Sequence, residues 1–101
     1  MKNVQHCENL AQVREHIDAL DMQLVPLLAE RSGYVAQAAR LKQSTDQIVD
    51  VARIESIVQR VRAMAEELGA SPKLMEALYR SMITAFIEFE REEFARLRPN
   101  L

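Results

Sequence analysis

Apolar residues recur near the start of the chain at spacings of three, four and seven: Leu10, Val13, Ile17, Leu20, Leu24, Leu27, Leu28, Val35, Ala38 and Leu41. Residues so spaced share one face of a helix, and the pattern predicts a single helix from about Leu10 to Lys42. Pro26 interrupts the row of backbone donors, and a mid-helix proline costs on the order of 3 kcal/mol. The stripe keeps its phase on both sides, with no glycine or polar turn cluster beside the proline. A kink is therefore expected there, not a stop. At about 1.5 Å per residue this rod is roughly 50 Å long. A compact chain of this size has a radius of gyration of only roughly 13 Å. Part of the stripe must find a partner, which favours a dimer.

The stretch QSTDQIV, residues 43 to 49, carries no helical stripe and reads as a loop. Asp50 is placed to cap a second helix, marked by Val51, Ile54, Ile57, Val58, Val61, Met64 and Leu68 and closed by Gly69. Ser71 and Pro72 restart the chain as cap and first helical residue. The third helix is expected to run to about Arg98, before Pro99. The pattern thus predicts an all-α fold of three helices in one domain spanning residues 1–101. There is no repeat, low-complexity tract or linker.

Some residues do not suit a plain bundle. Tyr79, Met82, Ile83, Phe86, Ile87 and Phe94 form one apolar stripe on the third helix, and Glu90 falls on it. Burying an unpaired charge is costly. On the first helix Arg14, Arg31 and Lys42 sit among apolar neighbours. At 100° per residue Arg31 and Lys42 lie about 20° apart, whereas Arg14 is about 100° away. The rise between Arg31 and Lys42 is about 16 Å, which two long side chains leaning inward can bracket. One helix cannot easily aim all three at one small ligand, but two antiparallel copies can. The ordinary reading of each cation is a long side chain reaching past apolar surface to water. For Glu90 it is a stripe dissolving into the solvated end REEFARLR, with the carboxylate paired to a nearby cation.

Composition narrows the chemistry. With two Gly, three Pro and five aromatics in 101 residues, the chain is poor in strand formers and turn formers. Thirteen basic and fifteen acidic residues leave a formal charge of −2 without like-charge blocks. That balance argues against nucleic-acid or membrane-surface binding through bulk charge. Cys7 has no intramolecular partner, MKNVQHCENL lacks the apolar run of a signal peptide, and a cytoplasmic location is expected. No apolar stretch approaches the roughly 20 residues of a membrane span. His6 and His16 are too far apart for a helical metal-binding pair, and no metal or cofactor is expected.

The segment LAQVREHIDALDMQLVPLLAERSGYVAQAARLK closely resembles the opening helix of the all-helical chorismate mutase family, in which R-x-x-I-D-x-L-D, then L-L-x-x-R, then a helix-end lysine recur. The likeness extends from about residue 8 to 94. It implies an intertwined homodimer with two active sites, each borrowing one arginine across the interface. On that likeness Arg14 is the borrowed arginine and Arg31 its partner, together binding the carboxylates of a dianionic substrate. Lys42 reaches the ether oxygen and a carboxylate, Arg53 and Asp50 match the start of the second helix, and Glu90 faces the ether oxygen. The implied reaction is the [3,3] rearrangement of chorismate to prephenate in aromatic amino acid biosynthesis, without nucleophile, metal or cofactor. Protonated, Glu90 could donate a hydrogen bond to that oxygen.

One departure matters. Many chorismate mutases carry Glu directly after the second-helix arginine, to accept a hydrogen bond from the ring hydroxyl, where this chain has Ile54. An unpaired hydroxyl costs on the order of 1 to 3 kcal/mol. Isochorismate-pyruvate lyases of salicylate pathways, which share the fold, also have an aliphatic residue there, and the opening ENLAQVREHID resembles that branch. Glu at position 90 is more familiar among mutases, and the expectation is mutase first, lyase second. A reading of another class is a non-catalytic helical dimerisation module.

Overall fold

A computed structural model describes residues 3–100. It contains helices α1 (Leu10–Leu41), α2 (Val51–Leu68) and α3 (Pro72–Leu97), with a short 3-10 turn at Thr45–Gln47 between the first two. Among the described residues there is no strand, and no helix is long and apolar enough to cross a membrane.

Local chemistry sets the boundaries. At the start of α1 the Asn9 side chain accepts from the Gln12 N–H at 2.9 Å, while Gln12 Oε1 accepts from the Glu8 N–H at 2.8 Å. Two otherwise unpaired donors are thereby satisfied reciprocally. The helix continues through Pro26. The carbonyl of Met22 loses its ladder donor there, and Met22 is exposed, so water can reach it. At the far end the Lys42 N–H donates to Ala38 O at 3.0 Å, and the backbone of Lys42 turns extended.

Asp50 caps α2 as its sequence position suggests, accepting from the Arg53 N–H at 3.0 Å. Gly69 ends α2 with φ 72°, in the left-handed region that favours glycine. Its N–H donates to Glu66 O at 3.1 Å and the Ala70 N–H to Ala65 O at 2.8 Å, the paired bonds of a Schellman turn. Ser71 then accepts from the Leu74 N–H at 3.1 Å, with Pro72 as the first residue of α3.

Helix α3 is the centre of the molecule, packing on α2 along one side and on the second half of α1 along another. Its buried contacts form two small clusters, one of Ala39, Ile48 and Phe94, the other of Ile57, Val61 and Ile83, with Ile87 packed against both. Two expectations need correction. The stretch 43 to 49 is not a plain loop: Gln47 Oε1 accepts from the Gln43 N–H at 2.7 Å, and Ile48 is buried between α1 and α3. Leu41, assigned to the apolar stripe of α1, is 67% exposed because the helix ends beside it.

An ion network also ties α2 to α3. Arg62 Nη1 lies 2.7 Å from Glu76 Oε1, and Arg80 approaches Glu76 at 2.7 Å and Glu55 at 3.1 Å. The hydrogen bond from Arg80, reinforced by Arg62, holds the Glu76 carboxyl below its ordinary range. These groups are partly solvated, so each pair contributes little stability.

By contrast, every residue from Leu10 to Glu30 is exposed. Leu20, Leu24 and Leu27 are 57%, 51% and 62% accessible although they sit on the apolar stripe. The chain extends 58 × 26 × 15 Å with a radius of gyration of 17.2 Å, well above the roughly 13 Å of a compact chain of this length.

Candidate active site

The second half of α1, the start of α2 and the middle of α3 enclose a cleft of about 510 Å³. The helical period explains which side chains enter it. On α1, Arg31, Val35, Ala38 and Lys42 follow one another at three and four residues, and on α3 the same holds for Ile83, Phe86, Ile87 and Glu90. From α2 come Arg53, Ile54 and Ile57, with Asp50 at its cap.

Six of the seven residues singled out from the sequence therefore meet here: Arg31, Lys42, Asp50, Arg53, Ile54 and Glu90. Arg14 does not line this cleft, lying on the exposed first half of α1.

Glu90 is 7% exposed, the one charged residue buried among the described residues. Its Oε2 lies 2.6 Å from Lys42 Nζ. The approach is off the axis of a hydrogen bond, leaving Oε2 with a charge partner and no aligned donor. The apolar stripe of α3 thus tolerates a carboxylate because α1 delivers an ammonium to it, and removal of either partner would strand a charge. Both groups face the cleft, so an oxygen-bearing ligand can compete for either one.

Arg31 is positioned differently. Its guanidinium carbon lies 4.4 Å from the centroid of the Phe86 ring, a cation–π contact that holds the side chain over the cleft without a carboxylate partner among the described residues. Phe86 was legible only as a stripe residue; its seven-residue separation from Tyr79 and four-residue separation from Glu90 placed it on the cleft face. Gln47 and Ile48, also lining the cleft, lay in a stretch without any periodic signal.

In charge the cleft presents Arg31, Lys42 and Arg53 against Asp50 and Glu90. The Asp50 carboxylate is already engaged at the α2 N-terminus. Much of the remaining wall is branched aliphatic, Ile54, Ile57, Ile83 and Ile87 among it, with the Tyr34 and Phe86 rings and Gln47 beside them. A cation-rich, largely apolar cleft with one buried acid suits a small ring compound carrying more than one negative charge, held by its carboxylates.

These features are those of an all-helical enzyme scaffold, and the chain belongs to the chorismate mutase type II family, whose description matches residues 13–91. Among curated proteins it is similar to the isochorismate pyruvate lyase of Pseudomonas aeruginosa, with 33% identity over 87 residues covering 86% of each chain. The match spans every residue of the cleft named above and both Arg14 and Glu90.

Proposed function

We propose that the protein converts chorismate to prephenate, acting as a homodimer in which Arg14 of a second copy completes each cleft. The observation that carries this reading is a single cleft lined by Arg31, Arg53 and Lys42 together with the buried carboxyl of Glu90, which lies 2.6 Å from the Lys42 ammonium. The rearrangement breaks the ether C–O bond and forms a C–C bond within the substrate, with no proton or group leaving. The protein then has two tasks. Arg31 and Arg53 hold the extended dianion folded over itself, so that the reacting ends meet. Lys42 stabilises the negative charge that gathers on the ether oxygen, and Glu90 in its protonated form donates to the same atom.

A second copy would bring a further cation, Arg14, to the cleft. The exposed stripe from Leu10 to Leu28 supplies the surface for such a partner, since contiguous apolar faces of this extent mark interaction sites. The expected compartment is the cytoplasm, and no metal or cofactor is required by this chemistry.

A second reading, isochorismate to salicylate and pyruvate, is favoured by Ile54 in the cleft wall and by the named activity of the Pseudomonas relative. In it the ether bond breaks while a ring hydrogen moves to the leaving enolpyruvyl group. Lys42 would serve the same oxygen. Incubating the purified protein with each substrate separates the two. Prephenate from chorismate at the higher kcat/KM is the expected result; salicylate and pyruvate from isochorismate at the higher value would reverse the assignment, and no turnover of either would end both.

A further inference from the structure

Arg98 makes more contacts to backbone than any other side chain described above, and it lies beyond the segment that matches the family, which ends at residue 91. Its guanidinium spans from the end of α3 to the end of α1. Nη1 donates to Ala39 O at 3.0 Å, and Nη2 donates to Arg40 O at 3.0 Å and to Lys42 O at 2.6 Å. The first two acceptors belong to the last turn of α1, whose carbonyls have no intrahelical donor. A cation there also complements the negative end of the helix dipole. The Phe94 ring supports the fork from below, 3.8 Å from guanidinium carbon to centroid, and is itself buried against Ala39 and Ile48.

The Lys42 backbone is consequently held at both ends, its N–H by Ala38 O and its carbonyl by Arg98. Its side chain then has only to extend to Glu90, two turns before Arg98 on α3. We propose that Arg98 is a positioning residue that fixes the Lys42 ammonium at the Glu90 end of the cleft. The inference rests on the reading of Lys42 as the group that stabilises the ether oxygen. Because displacement of a catalytic group by about 1 Å can cost 10²-fold, a grip on the backbone that carries it is felt in turnover.

The test is a double-mutant cycle in the full chain, with folding of each variant checked by circular dichroism and urea midpoint. Arg98→Ala should lower kcat about 10-fold with KM changed less than about 3-fold, and Arg98→Lys should recover part of the loss. In a Lys42→Met background the same Arg98→Ala change should cost less than about 2-fold, because the group it positions is gone. An equal loss in both backgrounds, or no loss in either, overturns the proposal. Hydrogen exchange of the backbone amides of residues 38 to 48 is measured in parallel. If the wild-type protein turns over neither substrate, the functional reading fails by itself, and exchange decides the rest: faster exchange confined to that segment in Arg98→Ala supports the grip on Lys42, and unchanged exchange removes it.

Discussion

The two halves of α1 are built from the same apolar pattern yet have opposite fates. From Leu10 to Glu30 every residue is exposed, while from Arg31 onward the helix is packed on α3, with Ala39 fully buried. Each half carries cations on or beside the stripe: Arg14 on the first, Arg31 and Lys42 on the second. Only the second half has within its own chain the surfaces that make its cations into a site. The contrast teaches that an amphipathic period specifies a face and not its partner. Where the period outruns the chain's own core, the face stays exposed.

The sharpest way to break the comparison is to disable one half at a time. Arg14→Ala and Arg31→Ala are each expected to lower kcat/KM by about 10² to 10³, the range for losing a preorganised charge contact. Far-UV circular dichroism and urea midpoints should remain near wild type, which separates an enzyme from a helical module whose losses track stability. Mixing the two inactive variants under conditions of subunit exchange should restore roughly one quarter of wild-type activity. A two-fold dimer with shared sites then regains one intact site in half of the dimers. No recovery on mixing would mean that Arg14 does not act in the cleft of another copy.

A smaller effect concerns Glu90. If its carboxyl serves as a donor to the ether oxygen, Glu90→Gln, which keeps a donor, retains much more kcat/KM than Glu90→Ala. Equal losses in the two variants would take Glu90 out of the chemistry and leave it as the structural partner of Lys42.

The smallest expected effect lies away from both halves, in the network joining α2 to α3. Arg80 and then Arg62 hold the Glu76 carboxyl below its ordinary range by hydrogen bonding and charge. A carboxyl lowered on folding contributes stability above its unfolded pKa and loses it as pH falls through the folded value. Urea midpoints of wild type and Glu76→Gln should differ slightly at neutral pH and converge in acid, once the pH has fallen below the lowered value of the folded state. Equal midpoints throughout would show that the network contributes nothing measurable, as exposed ion pairs often do.

Sequence legibility followed the range of each interaction. Asp50, Gly69, Ser71 and Pro72 act within four residues of their own positions, so the ends of α2 and α3 could be read almost residue by residue. Glu90 was visible as a carboxylate in an apolar stripe, and the likeness to the family implied which cations would stand near it. The pairing with Lys42 at 2.6 Å needed the fold, since the two are 48 positions apart. Arg98 left no trace in any local pattern because its acceptors are carbonyls 56 to 59 positions away, and carbonyls are the same for every residue type. Ile48 was hidden for a related reason: one apolar residue in a polar stretch has no period to betray its burial.

Pro26 gives α1 a mechanical property that its pattern does not. It removes one rung from the backbone ladder between the two halves, and bending in long helices concentrates where such a rung is missing. Arg14 lies twelve residues before that point, a lever arm of roughly 18 Å. Each 10° of flexure at the proline therefore swings Arg14 by roughly 3 Å relative to Arg31, without disturbing the packed half of the rod.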